Sequence, residues 1–151
     1  MTTKRLTIQT ASVGLNNPGI ISAVAIVTAH SHTGGKDIQE IVLVEDTTLP
    51  KSELKSVIAA LESIPEGFPG PISIQSSSRY LVLGYLQWRV RWALKGWKGT
   101  ANRPLWERLC EVVGNRDVAF NFVRTRSTKE SKAAVTLARK ALIASSEAVH
   151  A

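Results

Sequence analysis

The chain has 151 residues, 44% of them hydrophobic and 21% charged, and carries a formal net charge of +7. That is about one domain's worth of chain and too apolar to stay disordered, while its longest apolar stretch, residues 20–29, is too short to span a membrane. The opening Met1-Thr2-Thr3-Lys4-Arg5 leads into an alternating run rather than a secretory segment, and the single Cys110 has no disulfide partner, so a cytoplasmic globule with no membrane partner is expected.

Leu6, Ile8 and Thr10 alternate with polar neighbours and predict a first strand, closed by the turn signal Asn16-Asn17-Pro18-Gly19. Residues 20–30, rich in Ile, Val and Ala, read as a buried second strand, and Ile38 to Val44 alternate as a third, giving an antiparallel meander. Pro50 suits a first helical turn, and Leu54, Val57, Ile58 and Leu61 recur at helical spacing, so a helix over 50–63 is expected before the Pro/Gly loop at 65–70. Ile72 and Ile74 mark a short fourth strand, and any of Ser76, Ser77 and Ser78 is suited to cap a helix starting near residue 79. Leu81, Tyr85, Trp88 and Trp92 share one face of that helix, which Gly96 ends. Pro104 opens another helix, with Leu105, Leu109 and Val112 inward, and Val118, Phe120 and Phe122 alternate as a fifth strand. A last helix over about 129–143 turns Val135, Leu137, Ala138 and Leu142 inward. The expected fold is α/β, a five-stranded mixed sheet of three antiparallel and then two parallel strands flanked by helices. It forms a single domain over 1–145, with a flexible tail at 146–151.

Charge is unevenly spread. Residues 1–75 carry five Lys/Arg and seven Asp/Glu, whereas residues 76–151 carry fourteen and five. Between Arg79 and Arg108 the bases Arg79, Arg89, Arg91, Lys95, Lys98, Arg103 and Arg108 face a single acid, Glu107, and all four tryptophans fall in the same stretch. Cations release the counterions of a polyanion and indoles stack on bases or sugars, so the combination suits nucleic acid; each indole taken alone is also an ordinary core residue. His30 and His32 alternate on a strand end without a third ligand, and Cys110 has no nearby histidine and reads as a small core hydrophobe.

The string Tyr80-Leu81-Val82-Leu83-Gly84-Tyr85-Leu86-Gln87-Trp88-Arg89-Val90-Arg91-Trp92, then Lys95-Gly96-Trp97-Lys98 and Leu105-Trp106-Glu107-Arg108-Leu109, resembles the basic protrusion of bacterial type 1 ribonuclease H and the helix after it. The likeness extends to Asn17-Pro18-Gly19, Glu53-Leu54, Ala60-Leu61-Glu62, Phe122-Val123 and Leu137-Ala138-Arg139, nearly the whole chain, with a shorter link between Lys98 and Leu105. The resemblance implies a site of four carboxylates holding two divalent ions about 4 Å apart. On this sequence those positions fall on Ala11, Glu53, Ser77 and Val135, and the family's loop histidine on Arg126, so only Glu53 is kept. Asp37, Asp46 and Asp117 are badly placed to substitute. As a residue of the first helical turn, Glu53 would favour the helix dipole.

The resemblance further assigns nucleic-acid contacts to Asn17, Thr48, Arg79, Arg89, Arg91, Trp92, Lys95, Trp97, Lys98 and Arg126. Two family asparagines that read the minor groove become Leu49 and Pro50, and a glutamine becomes Arg79, which weakens selection by the 2′-hydroxyl. The leading expectation is a catalytically degenerate protein that binds RNA/DNA hybrid, duplex RNA or duplex DNA and needs no cofactor. A residual ribonuclease dependent on Mg²⁺ or Mn²⁺, and a protein-interaction or structural module that self-associates, as a homodimer, through the exposed edge strand or the former groove, are the alternatives.

Overall fold

The computed structural model describes residues 3–150. Three long strands, β1 (Thr3–Gly14), β2 (Gly19–Ser31) and β3 (Lys36–Thr47), form the antiparallel meander. Helix α1 (Leu49–Glu62) then crosses over so that β4 (Ile72–Ser76) lies parallel to β1, and β5 (Val118–Phe122) lies parallel to β4, in the sheet order β3-β2-β1-β4-β5. Between β4 and β5 run α2 (Arg79–Leu83), one turn of π-helix over Gly84–Trp88, α3 (Arg89–Leu94) and α4 (Arg103–Val113); α5 (Lys129–His150) comes after β5. The expected mixed sheet is therefore present, three antiparallel strands followed by two parallel ones.

Strand alternation divides the side chains between two layers. Leu6 and Ile8 of β1, Ala25 and Val27 of β2, Ile72 and Ile74 of β4 and Phe120 of β5 meet α1, α2 and α4 in the larger core. Ala11 and Val24, on the opposite face, meet Ala134, Val135 and Ala138 of α5 in a smaller one. Several local expectations shift. α5 continues to His150, past the Ile143 end expected from the sequence, because residues 144–149, mostly Ala, Ser and Glu, contain no breaker; Ala151 lies outside the described residues. In α4, Trp106 and Val113 take the buried positions with Leu109, and Leu105 and Val112 sit at the edge, one residue round from the expected face. The helix is entered from Asn102 in the left-handed conformation (φ 58°).

The 3.6-residue face over 81–92 is interrupted. Arg89 N–H bonds to Gly84 O, five residues back, and the wider turn rotates the residues C-terminal to it. Leu81 is buried and Tyr85 stacks on Phe120, with centroids 4.0 Å apart, but Trp88 turns out to 36% exposure. Gly84 is required here: a Cβ on it would lie 2.3 Å from Cη2 of the fully buried Trp106.

Candidate nucleic-acid interface

The carboxyl ends of the parallel strands β1, β4 and β5 lie together, where α/β sheets commonly bind ligands. A small pocket there is lined by Thr10, Ala11 and Ser12 of β1, Glu53 and Ser56 of α1, and Ser76, Ser77 and Ser78. Its free volume is about 10 Å³, room for about one water. Both carboxylate oxygens of Glu53 are engaged: Ser12 Oγ donates to Oε1 at 3.1 Å and Ser78 Oγ to Oε2 at 2.5 Å. Burial pushes the Glu53 carboxyl above its ordinary range, and the hydroxyls of Ser78 and Ser12 oppose that rise by hydrogen bonding to the charged form.

Glu53 is not a first-turn residue. α1 begins at Leu49, behind the N-cap Thr48, so Glu53 lies in the second turn and its role comes from its hydroxyl partners rather than from the helix dipole. Of the three serines suited to cap α2, Ser78 does so, accepting from Leu81 N–H at 3.1 Å while donating to Glu53. Glu53 thus ties the end of β1 to the root of α2. Ser77 is in the pocket with it. Ala11 and Val135, 9% and 8% exposed, belong together to the smaller apolar core.

Asn17 and Thr48 are brought together at the start of α1. Asn17 Oδ1 accepts from Leu49 N–H at 3.0 Å, and Thr48 Oγ1 accepts from Lys51 N–H at 3.4 Å. These bonds satisfy helix N–H groups that would otherwise lack partners. Arg126 sits with φ 57° in the exposed β5–α5 loop. Arg79, at the start of α2, holds its guanidinium 5.4 Å from the centroid of Phe122, the last residue of β5.

The remaining expected contacts lie on the segment from Gly84 to Asn102. Trp92 is half-buried, 5.2 Å from the Trp106 ring and 6.4 Å from Trp97, and Trp97 N–H bonds to Trp92 O at 2.8 Å. Trp106 donates Nε1–H to Tyr80 Oη at 2.9 Å, and Asn102 donates to the same oxygen at 3.1 Å. The indoles therefore anchor the segment as much as they present it. Arg91, Lys95 and Lys98 are exposed, whereas Arg89 folds back, its Nε bonding Tyr85 O at 2.8 Å and its guanidinium 4.2 Å from the Tyr85 centroid. Among the described residues the cations in ion pairs are Lys55, Arg103 and Arg108, so Arg79, Arg89, Arg91, Lys95, Lys98 and Arg126 are all without an acidic partner.

Other candidates separate from this end. His30 Nε2 lies 3.1 Å from Thr7 Oγ1 while His32 is exposed, and no group of three or more His, Cys, Asp or Glu among the described residues is arranged to hold a metal ion. Cys110 is half-buried rather than a core residue, and burial pushes its thiol up, away from the thiolate. No described helix is long and apolar enough to cross a membrane. Sequence reasoning missed Ser12 and Phe122 and read Ser78 only as a candidate helix cap. The two serines had a signal in the run of hydroxyl residues near the strand ends, and Phe122 looked like one more core position of an alternating strand.

The family model for RNase H matches residues 4–143. Among curated relatives, ribonuclease H of Wolbachia sp. subsp. Drosophila simulans is 31% identical over 149 residues, 95% of this chain and 99% of its own length. Ribonuclease H of Syntrophotalea carbinolica is 34% identical over 64% of this chain; the match spans 66% of that relative, and 57% of ribonuclease HI from Xylella fastidiosa. Among solved structures, LC9-RNase H1, a type 1 RNase H with the type 2 active-site motif, superposes with a TM-score of 0.82 at 24% identity, covering 93% of this chain and 73% of that one. LC11-RNase H1 in complex with RNA/DNA hybrid superposes with a TM-score of 0.62 at 15% identity, over 91% of this chain and 99% of that one. With the mixed sheet, the strand-end pocket and a match that runs from β1 into α5, the chain belongs to the ribonuclease H family.

Proposed function

We propose that this chain, a single ribonuclease H-like domain over residues 1–145, binds RNA/DNA hybrid or duplex nucleic acid through a basic, tryptophan-anchored protrusion and does not cut it. The observation that carries the reading is the state of Glu53: it is the one acid at the four family positions, and both of its oxygens are held by serine hydroxyls. Two-metal hydrolysis needs ions about 3.5–4 Å apart, each neutralised by oxygen ligands. The residues here do not fit such a pair. Ala11 and Val135 offer methyl groups inside an apolar core, Ser77 offers a neutral hydroxyl, and the pocket has room for about one water.

The same substitutions favour binding. A groove that has exchanged acids for Ala, Ser and Val repels a phosphate backbone less, and Arg79 and Arg126 add positive charge near it. The exposed, unpaired Arg91, Lys95 and Lys98 supply charge that releases counterions when a duplex docks. Thr48 and Asn17 hold the first turn of α1 in place for a phosphate rather than offering free donors. The hybrid bound to the structural neighbour LC11-RNase H1 supports this class of ligand.

A second reading, a metal-dependent hybrid ribonuclease, is favoured by the relatives' names and by Glu53 itself. The experiment that separates the two is an affinity titration of hybrid, duplex RNA and duplex DNA across salt in EDTA, run beside a cleavage assay in Mg²⁺ and in Mn²⁺. Tight binding in EDTA with a steep salt slope and intact RNA is expected. Cleavage abolished by Glu53→Gln would establish the nuclease instead, and absence of binding at low salt would remove both.

A further inference from the structure

Phe122 and Arg79 are both exposed and meet where the end of β5 faces the start of α2. Phe122 ends β5 on the core-facing side, in register with Ser76 of the pocket, yet its ring is 46% exposed. Its predecessor on that face, Phe120, is buried and stacked on Tyr85, so the alternating aromatic row runs out of the core at the pocket's rim. Arg79 comes directly after the capping Ser78, and its guanidinium lies 5.4 Å from the Phe122 centroid, within cation–π range and wider than a close stack. No acidic residue pairs with that guanidinium among the described residues. A planar cation beside an exposed ring, at the carboxyl ends of parallel strands, is a surface on which a flat ligand with a nearby phosphate can rest.

We propose that Phe122 and Arg79 form a stacking platform for one unpaired nucleobase, so that the protein prefers hybrids with a single-stranded end over blunt ones. The inference rests on the binding reading above and deepens it. An unpaired base is the occupant because bases inside a duplex have both faces covered by their neighbours and a blunt end offers a face only along the helix axis, whereas an unpaired base can turn a free face to the ring. Arg79 contributes twice, through its plane to the base and through its charge to the adjoining phosphate.

The test compares a blunt RNA/DNA hybrid with the same hybrid carrying a three-nucleotide RNA overhang, by fluorescence anisotropy in EDTA, for the full chain and for the variants Phe122→Leu and Phe122→Trp. Leucine keeps apolar volume and removes the π-face; tryptophan enlarges it. The overhang should be bound about ten-fold more tightly by the unaltered chain, the size expected of one base–aromatic stack. The preference should vanish in Phe122→Leu, with blunt affinity unchanged, and persist in Phe122→Trp. A 2-aminopurine placed in the overhang should be quenched on binding to the unaltered chain and to Phe122→Trp, and not on binding to Phe122→Leu. Equal affinity for the two hybrids, or a preference that survives in Phe122→Leu, overturns the platform alone. Failure to bind either hybrid at low salt overturns the platform and the binding reading together.

Discussion

Glu53, the one acid at the positions the resemblance assigns to metal binding, has serine hydroxyls as its partners. In a cluster of acids a carboxylate binds a cation; between Ser12 and Ser78 it becomes the acceptor that fastens β1 to the cap of α2. Its ionised form is the disfavoured one in the fold, because burial raises its carboxyl above the ordinary value of 4.5. The folded chain therefore holds a proton there that the unfolded chain has already released, and stability falls as pH rises from that value through the folded one. Glu53→Gln removes the ionisation. Its stability relative to the unaltered chain should improve between pH 4.5 and pH 7, measured by urea unfolding at several pH values; a difference that is flat with pH would contradict this. Glu53→Ala leaves two half-buried hydroxyls without an acceptor and should lose about 1–3 kcal/mol. The sequence alone, through the resemblance, singled out this acid. It did not show that acid's hydroxyl partners, since Ser12 and Ser78 lie 41 and 25 residues away from it along the chain.

At the scale of elements, period-2 alternation marked β1, β3 and β5, Ile72 and Ile74 marked β4, and an unbroken apolar run marked β2, which contributes residues to both cores. The helix over 81–92 was legible as a helix but not in its facing. A single i→i+5 turn at Gly84 carries no residue pattern of its own, and the residue there is glycine because Trp106 occupies the space a side chain would need. Helix propensity favours alanine over glycine by about 1 kcal/mol. The predicted sign at this position is nonetheless destabilising: Gly84→Ala must displace a buried indole that is bonded to Tyr80, at a cost of about 1–3 kcal/mol, visible as a lower midpoint in chemical denaturation. The segment's charge is read in a different experiment. Replacing Arg91, Lys95 and Lys98 together by alanine should weaken hybrid and duplex binding about equally. It should also reduce the log–log salt slope by about two to three if each contacts one phosphate. An unchanged slope would move the interface elsewhere on the molecule.

For the molecule as a whole, the division of charge matches the division of architecture. The meander and α1 come from the slightly acidic half of the chain, and the elements from α2 to α5 come from the strongly basic half. The binding reading proposed above directs a polyanion to α2, α3 and the β5–α5 loop, whose Arg79, Arg91 and Arg126 have no acidic partner among the described residues. The other edge of the sheet is β3, where exposed Ile38 and Val42 sit beside exposed Lys36, Asp37 and Glu40, charges that oppose edge-to-edge pairing. The family was legible because its motifs extend over nearly all of the chain, and the strand order agreed independently. The positions the resemblance assigns to metal were legible only as residue types. How tightly the pocket closes depends on how β1, α1 and the serines at the end of β4 pack together, which sequence does not state. The central claim is retention of grip with loss of cutting, and one measurement reaches it most directly: an end-labelled RNA/DNA hybrid incubated with excess protein in Mg²⁺ or Mn²⁺, resolved once on a native gel and once after denaturation. A retarded complex whose RNA remains full-length is the predicted result; shortened RNA that reappears with freshly purified protein and disappears in Glu53→Gln would contradict it.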